Sequence, residues 1–117
     1  MPQFRSLRRL MCIAAAATAG LLHLPLPAQD LPSFQLVIKA GRFLPDTIEV
    51  PANTKFRLLI RNEGPGAEEF ESVELRKEKV LAPGASSFLI FQPLKPGSYK
   101  FFGEFHPETA QGRIVAK

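Results

Sequence analysis

The feature that most constrains this chain is a series of short segments in which apolar and polar residues alternate. The segments 34–39 and 56–61, FQLVIK and FRLLIR, place an apolar residue at every second position. That period belongs to a β-strand with one buried face. Three further apolar runs cover 87–91, 98–102 and 113–116, and turns rich in Pro, Gly and Asn separate the runs. Turns spaced in this way, without a helical period in any segment after position 30, predict an all-β sandwich or barrel.

The first 28 residues, MPQFRSLRRLMCIAAAATAGLLHLPLPA, have the layout of a cleavable export signal. Arg5, Arg8 and Arg9 form a basic start, an apolar run covers 10–22, and Ala28 is the expected cleavage point. The apolar run is shorter than the ~20 residues of a membrane span, so an uncleaved anchor is the less favoured alternative. The sequence therefore predicts a signal peptide over 1–28, one domain over 29–117, a periplasmic location, and no membrane span after removal of the signal.

Removal of that signal changes the composition from which function can be argued. The signal holds three of the 15 Lys and Arg residues, which leaves 12 basic residues against 11 acidic ones. No basic stripe remains that would indicate nucleic-acid binding. The signal also holds Cys12, Met1, Met11 and His23, so the rest of the chain has no sulfur ligand and has His106 as its one histidine. No motif of a nucleophilic enzyme, a phosphate-binding loop or a zinc hydrolase is visible.

Acidic residues concentrate in two segments, NEGPGAEEFES over 62–72 and GEFHPETAQG over 103–112. Strand alternation points Glu69 and Glu71 to one face and Glu68 and Phe70 to the other, so Glu68 would lie at the mouth of the sandwich above a buried Phe70. Carboxylates with one imidazole suit Fe(II), Fe(III), Mn(II) or Cu(II), and suit Cu(I) poorly. The alternative is a set of solvated acidic residues at strand ends. The candidate ligand residues in the two segments are Glu63, Glu68, Glu69, Glu71, Glu104, His106 and Glu108.

The segment 97–116, GSYKFFGEFHPETAQGRIVA, has the layout of the ligand loop of blue-copper proteins. A strand runs into a short loop that contains His106, and a closing strand follows Gly112. In a blue-copper site a Cys, two His and a weak axial Met bind the metal. Here Gly103 stands near the Cys position and Gln111 near the Met position. The segment therefore predicts a cupredoxin scaffold without a type 1 blue-copper centre.

The fragments FESVEL, VLAPGASSF, LKPGSYKFFGEF and GRIVAK resemble the cupredoxin-like proteins of periplasmic ferrous-iron uptake systems. The chain is similar to the small FtrB type, and to the cupredoxin-like domain of EfeO proteins, over residues 33–117. The resemblance implies a Greek-key β-sandwich of the cupredoxin type that binds an iron or copper ion. It also implies two partners, a periplasmic iron-binding protein and an inner-membrane iron permease.

The same resemblance assigns roles to individual residues. Glu68 falls where copper cupredoxins often have their first His, Glu69 and Glu71 match a Glu-x-Glu pair, and His106 matches the loop His. Related domains can carry cysteines near Phe43 and Gly103, and their absence here shifts the expected metal toward iron or Cu(II) with oxygen ligands. The predicted metal ligands are Glu68, Glu69, Glu71 and His106, with Glu104 or Glu108 as a further ligand.

Three functions stay open at this point. The first is a ferroxidase or an electron relay, because carboxylates favour the ferric state of iron. The second is a metallochaperone that passes iron or copper to a permease without redox chemistry. The third is a structural module whose acidic loops dock a partner without metal. Whether the protein is an enzyme depends on which of these applies.

Two smaller predictions concern packing. The run RKEK over 76–79 predicts a solvated turn, because all four residues are charged. The aromatic residues Phe101, Phe102 and Phe105 are expected to belong to the core.

Overall fold

A computed structural model describes residues 31–117, so the predicted signal peptide lies outside the described residues. These residues form a four-stranded sheet of order β2-β1-β4-β7 and a five-stranded sheet of order β3-β9-β8-β5-β6. No helix among residues 31–117 is long and apolar enough to cross a membrane. The strands are β1 Ser33–Lys39, β2 Arg42–Leu44, β3 Thr47–Val50, β4 Phe56–Asn62, β5 Glu68–Ser72, β6 Lys77–Leu81, β7 Ser86–Phe91, β8 Gly97–Phe102 and β9 Gln111–Ala116.

The predicted all-β sandwich is confirmed. Strand β1 pairs in parallel with β4, and β3 pairs in parallel with β9, while the other neighbours run antiparallel. Parallel neighbours cannot be joined by a tight hairpin, so the chain crosses between the two sheets instead of winding up and down within one. These crossings bring loops that are distant in sequence to the same end of the sandwich.

The core follows from the period-two pattern. Leu36 and Ile38 of β1 are buried, as are Phe56, Leu58 and Ile60 of β4, and their polar neighbours face outward. Aromatic rings pack within each sheet, with ring centroids 4.8 Å apart for the stacked Phe56–Phe91 pair and 4.8 Å for Phe70–Phe101. The Phe43–Phe101 pair, with centroids 4.9 Å apart, joins the two sheets. Full burial of a side chain of this size stabilises the fold by about 1.5–3 kcal/mol, which makes this cluster the main source of cohesion.

Both of the smaller packing predictions need correction. The run over 76–79 is largely strand, because Lys77–Leu81 forms β6 and pairs along the whole length of β5. β6 is an edge strand with half-buried Lys77 and Lys79 and exposed Glu78, and charged side chains are common on edge strands. Phe101 is 1 % exposed and belongs to the core, whereas Phe105 is 50 % exposed on the β8–β9 loop.

Candidate metal centre

The loop between β8 and β9, residues 103–110, carries His106 and Glu104. The backbone N–H of Gly103 donates to the carbonyl oxygen of Ala110 at 2.9 Å, and the Ala110 N–H donates to the carbonyl oxygen of His106 at 2.7 Å. These bonds close the loop at its base and satisfy its buried backbone groups. The loop is therefore compact, and it holds His106 and Glu104 at one end of the sandwich.

The loop between β4 and β5 is fixed by the buried side chain of Asn62. Its Nδ2 donates to the carbonyl oxygens of Gly66 at 2.8 Å and Leu81 at 3.0 Å, and its Oδ1 accepts from the Gly64 N–H at 2.8 Å. A buried amide with its bonds satisfied in this way rigidifies the segment around it. Asn62 thus sets where the chain enters β5 and where Glu68 begins that strand.

The β1–β2 turn joins these two loops. The Ala40 N–H donates to the carbonyl oxygen of Gly64 at 2.9 Å. On the other side, Thr109 Oγ1 donates to the carbonyl oxygen of Gly41 at 2.6 Å. The two acidic segments singled out in the sequence, 62–72 and 103–112, therefore meet at one end of the molecule.

Glu68 and His106 make the first contact between the two segments. Glu68 is 0 % exposed and lies on the same face of β5 as the core residue Phe70, as strand alternation predicts. Its Oε2 lies 3.1 Å from Nδ1 of His106, whose side chain is 48 % exposed. Ligand atoms bound at about 2.1 Å to one metal ion lie roughly 3.0–3.4 Å apart when adjacent, so this spacing suits two neighbouring ligands. Glu68 Oε1 is buried and has no hydrogen-bond partner within residues 31–117.

The His106 ring lies directly against Gly41. A β-carbon on Gly41 would lie 2.7 Å from Cγ of His106 and 2.9 Å from its Cδ2, both inside contact distance. Gly41 also has φ of +71°, a conformation that disfavours residues with a side chain. The missing side chain at this position is therefore what lets His106 approach Glu68.

Glu69, Glu71 and Glu104 form a second group on the other face of β5. Each offers one carboxylate oxygen, and these three oxygens lie within 4.8 Å of one another. The grouping follows from the register, since Glu71 pairs with Phe102 of β8 and Glu104 continues two residues beyond it. Oxygens bound to one ion at about 2.1 Å lie no more than about 4.2 Å apart, so a small side-chain rotation suffices to gather all three.

Glu69 is the unusual member of this group. It is 1 % exposed, and its Oε1 is buried without a hydrogen-bond partner in the described part of the chain. The pKa of Glu69 is raised from its usual 4.5 to about 7, first by burial, then by a hydrogen bond with Glu78 and by the negative charges of Glu71, Glu104 and Glu78. A buried carboxyl surrounded by other carboxyls destabilises the fold, because no positive charge compensates its own.

The single five-residue cluster expected from the sequence is thus two groups. Glu68 and His106 form one, and Glu69, Glu71 and Glu104 form the other. Glu108 is exposed and belongs to neither group among the described residues. The sequence reasoning did not single out Glu78, although Glu78 faces Glu71 across the β5–β6 ladder. Strand alternation in the segments EEFES and KEKVL is the sequence pattern that could have indicated Glu78.

Residues 31–117 form no type 1 copper site. Residues 31–117 contain no Cys and no Met. A β-carbon on Gly103 would lie 2.8 Å from the carbonyl oxygen of Glu69 and 3.0 Å from Cβ of Ala110, so the backbone at the expected cysteine position leaves no space for a thiolate side chain. Gln111, near the expected methionine position, is exposed and donates from Nε2 to the carbonyl oxygen of Pro107 at 2.8 Å.

Several solved structures share this fold. The metal-binding domain of the Cu(I)-exporting P-type ATPase CopA from Streptococcus pneumoniae D39, solved with Cu(I), aligns with a TM-score of 0.64 at 13 % identity over 73 % of this chain and 84 % of that one. Auracyanin from Roseiflexus castenholzii aligns with a TM-score of 0.62 at 11 % identity over 75 % of this chain and 98 % of that one. A purple cupredoxin from Nitrosopumilus maritimus aligns with a TM-score of 0.52 at 19 % identity, covering 71 % and 98 % of the two chains. At these identities the likeness establishes the fold.

A sequence relative is the uncharacterized protein RP394 of Rickettsia prowazekii (strain Madrid E). It is 48 % identical over 81 residues, which are 69 % of this chain and 65 % of the relative. The chain therefore spans less than two thirds of that relative's length. The family model of the cupredoxin-like domain matches residues 10–116. This chain belongs to the cupredoxin-like domain family.

Proposed function

We propose that this protein binds a metal ion at the loop end of its sandwich and serves a ferrous-iron transport system in the periplasm. In this role it takes up Fe(II), and oxidises it or relays its electron, for a periplasmic iron-binding protein and an inner-membrane iron permease. The resemblance to ferrous-iron uptake proteins supports the setting. The arrangement of Glu69, Glu71 and Glu104 supports the chemistry.

The observation that carries the proposal is the burial of the Glu69 carboxyl without a compensating positive charge. A carboxyl that is 1 % exposed, with a buried oxygen lacking a partner and a pKa raised to about 7, costs stability in the absence of a cation. A bound cation satisfies the free oxygen and offsets the charges of Glu71 and Glu104 at once. The residues therefore fit a metal better than they fit a purely structural role.

The donor set favours a hard or borderline ion. Three carboxylate oxygens suit Fe(II) and Fe(III), and also Cu(II), whereas Cu(I) prefers the sulfur ligands that residues 31–117 lack. Anionic oxygen ligands stabilise the ferric state more than the ferrous state, since the extra positive charge interacts more strongly with them. Oxidation releases one electron from each Fe(II), and dioxygen is the acceptor in an aerobic assay.

The Glu68–His106 pair supports a second position for the ion. Its 3.1 Å spacing suits two adjacent ligands, and the buried Oε1 of Glu68 offers a third donor atom. An imidazole nitrogen with carboxylate oxygens is a good ligand set for Cu(II). Copper bound by this pair and iron bound by the three carboxylates are therefore separate alternatives. A ring nitrogen among the ligands indicates the first, and oxygen ligands alone indicate the second.

The test is an anaerobic calorimetric titration of the protein with Fe(II) and, separately, with Cu(II). Glu69→Gln keeps the shape of the side chain and removes its charge, and we expect at least tenfold weaker Fe(II) binding. Glu108→Gln removes one charge from the same end of the molecule, outside both groups, and is the matched control with unchanged affinity. His106→Gln reports on the second position, because Cu(II) bound there gives electron-spin-resonance couplings to a ring nitrogen.

The outcomes separate the candidate functions. Fe(II) binding that Glu69→Gln weakens, together with faster Fe(II) loss in air, supports a ferroxidase. The same binding without faster oxidation supports a metallochaperone that hands iron to its partner. Equal affinity of the wild-type protein, Glu69→Gln and Glu108→Gln contradicts the proposed site, and binding of neither metal leaves a docking module.

A further inference from the structure

A basic groove lies on the outer face of the five-stranded sheet, beside the three carboxylates. We name it the Lys100–Arg113 groove; its volume is about 570 Å³ and its lining includes Asp46, Thr47, Lys100, Phe102, Gln111 and Arg113. Lys100 and Arg113 are direct partners across the β8–β9 ladder, and both are exposed. Two like charges placed opposite each other in a sheet destabilise it unless something neutralises them.

Neither base forms a side-chain ion pair among the described residues, although the Glu74 carboxylate accepts from the Lys100 backbone N–H at 3.2 Å. The ion pairs found within 31–117 are His106–Glu68 and Lys117–Glu49, and neither involves Lys100 or Arg113. Asp46 lines the groove, yet its carboxylate lies beyond ion-pair distance of both bases, and its carbonyl oxygen accepts from the Arg113 N–H at 2.8 Å. The side-chain N–H groups of Lys100 and Arg113 and the hydroxyl of Thr47 therefore form a set of hydrogen-bond donors that bond to no acceptor within residues 31–117. That set matches an oxyanion, which a guanidinium binds with two parallel hydrogen bonds.

The groove is also next to the three carboxylates. Phe102 lines it and is the cross-strand partner of Glu71, and Lys100 lies two residues from Phe102 on the same face of β8. Strand spacing places the Lys100 and Glu71 backbones roughly 8 Å apart, within the joint reach of the two side chains. An anion held by Lys100 and Arg113 can therefore contact a cation held by Glu71.

The coordination number of iron gives a reason for an anion to bind beside the three carboxylates. Three carboxylates supply three oxygen atoms, while an iron ion in an oxygen environment takes about six. We propose that the Lys100–Arg113 groove binds a small oxyanion with two or more negative charges, and that this anion supplies further ligands to the metal. The second part rests on the proposed metal site at Glu69, Glu71 and Glu104, whereas anion binding in the groove does not. The cation then enters as a complex with a phosphate or polycarboxylate anion, or meets that anion on the protein.

Anion binding is tested first on the metal-free protein. Inorganic phosphate and citrate are titrated separately, and backbone amide shifts are followed by ¹H–¹⁵N NMR. We expect shifts that concentrate at Lys100, Gln111 and Arg113 and that the Lys100→Gln/Arg113→Gln variant loses. Lys39→Gln/Arg42→Gln is the matched control, because it removes a basic cross-strand pair of the other sheet, and it should retain the shifts.

Coupling to the metal is tested with Mn(II), an oxygen-preferring ion that does not react with air under these conditions. Reciprocal coupling predicts that saturating phosphate tightens Mn(II) binding by about fivefold or more, after correction for Mn(II)–phosphate pairing in solution. The Lys100→Gln/Arg113→Gln variant should lose this gain, and the Lys39→Gln/Arg42→Gln variant should keep it. A gain that survives in Lys100→Gln/Arg113→Gln overturns the inference.

Failure of this inference and failure of the proposed function give different results. Mn(II) binding that depends on Glu69 but ignores phosphate, with no shifts at the groove, overturns the inference and leaves the metal site standing. Phosphate shifts at the groove without any metal binding support the anion site and contradict the metal site. Absence of both overturns both.

Discussion

The two faces of β5 place adjacent carboxylates in opposite situations. Glu68 points inward and meets the imidazole of His106 at 3.1 Å. Glu69, one residue later, points outward and meets the carboxyls of Glu71, Glu104 and Glu78. Both side chains are almost completely buried, so burial alone does not distinguish them. The difference lies in what each carboxyl faces. Glu68 faces an imidazole ring, whereas Glu69 faces other carboxyls.

This contrast shows how a strand can place the carboxylates of one short acidic run in two different environments. The alternation of β5 sends successive side chains to opposite faces, and each face then receives partners from a different part of the β8–β9 loop. A substitution that affects one group should leave the other intact.

The largest expected effect is the pH dependence of stability that arises from Glu69. Below pH 4.5 the carboxyl is protonated in both the folded and the unfolded chain, so it contributes no difference. Between 4.5 and about 7 the unfolded chain has released this proton and the folded chain has kept it. The folded state binds more protons in that window, so the free energy of unfolding falls as pH rises, by up to about 3 kcal/mol above pH 7.

Urea denaturation of the metal-free protein at pH 5 and pH 8 measures this loss. Glu69→Gln should remove it and should be more stable than the wild-type protein at pH 8. Glu49→Gln is the control, because Glu49 is an exposed residue that pairs with Lys117 on the surface. A wild-type pH slope that persists in Glu69→Gln rules out Glu69 as its origin.

Gly103 lies at the seam between the two groups, and its substitution should disturb both. A β-carbon there meets the carbonyl oxygen of Glu69 at 2.8 Å, and a strand backbone cannot move aside easily. We expect Gly103→Ala to lower the free energy of unfolding by about 2 kcal/mol, the usual cost of overpacking. Gly66→Ala is the matched control, since nothing lies within 4 Å of its added carbon, and urea denaturation measures both variants. Equal stability of the two variants would contradict the crowding at Gly103.

Gly41→Ala should separate the two groups experimentally. The added carbon moves the His106 ring away from Glu68, and the positive φ adds strain, for a combined loss of about 1–2 kcal/mol. Gly64→Ala carries similar backbone strain at φ of +82° with nothing within 4 Å, so it isolates the contact with His106. We expect the His106 ring NMR signals to shift in Gly41→Ala alone. Mn(II) affinity at Glu69, Glu71 and Glu104 should stay unchanged, and a matching loss there would show that the groups are not independent.

Much of this architecture could be predicted from the sequence, because strand alternation is a local property. The segments 34–39 and 56–61 gave β1 and β4, and alternation in EEFES placed Glu68 above Phe70. The turn predicted over 76–79 is wrong, since the charged residues at the start of β6 carry little of the apolar alternation that indicates a strand. The division of the acidic residues into two groups depends on the β5–β8 register and on the contact of His106 with Gly41. Both are long-range contacts, which local sequence patterns do not specify.

The smallest expected effect tests why Glu69 holds its proton. Burial is the largest cause of its raised pKa, the hydrogen bond with Glu78 comes second, and the charges of Glu71 and Glu104 follow in that order. Glu71→Gln should therefore lower the pKa of Glu69, Glu104→Gln should lower it less, and in both variants it should stay above 4.5. Titration of the Glu69 side-chain carbon by ¹³C NMR measures these shifts, with Glu108→Gln as the unchanged control. A pKa that returns to 4.5 in Glu71→Gln would make repulsion, and not burial, the dominant cause. The outer face of β5 would then act as a cation site through its charge alone, and its metal affinity would weaken strongly with added salt.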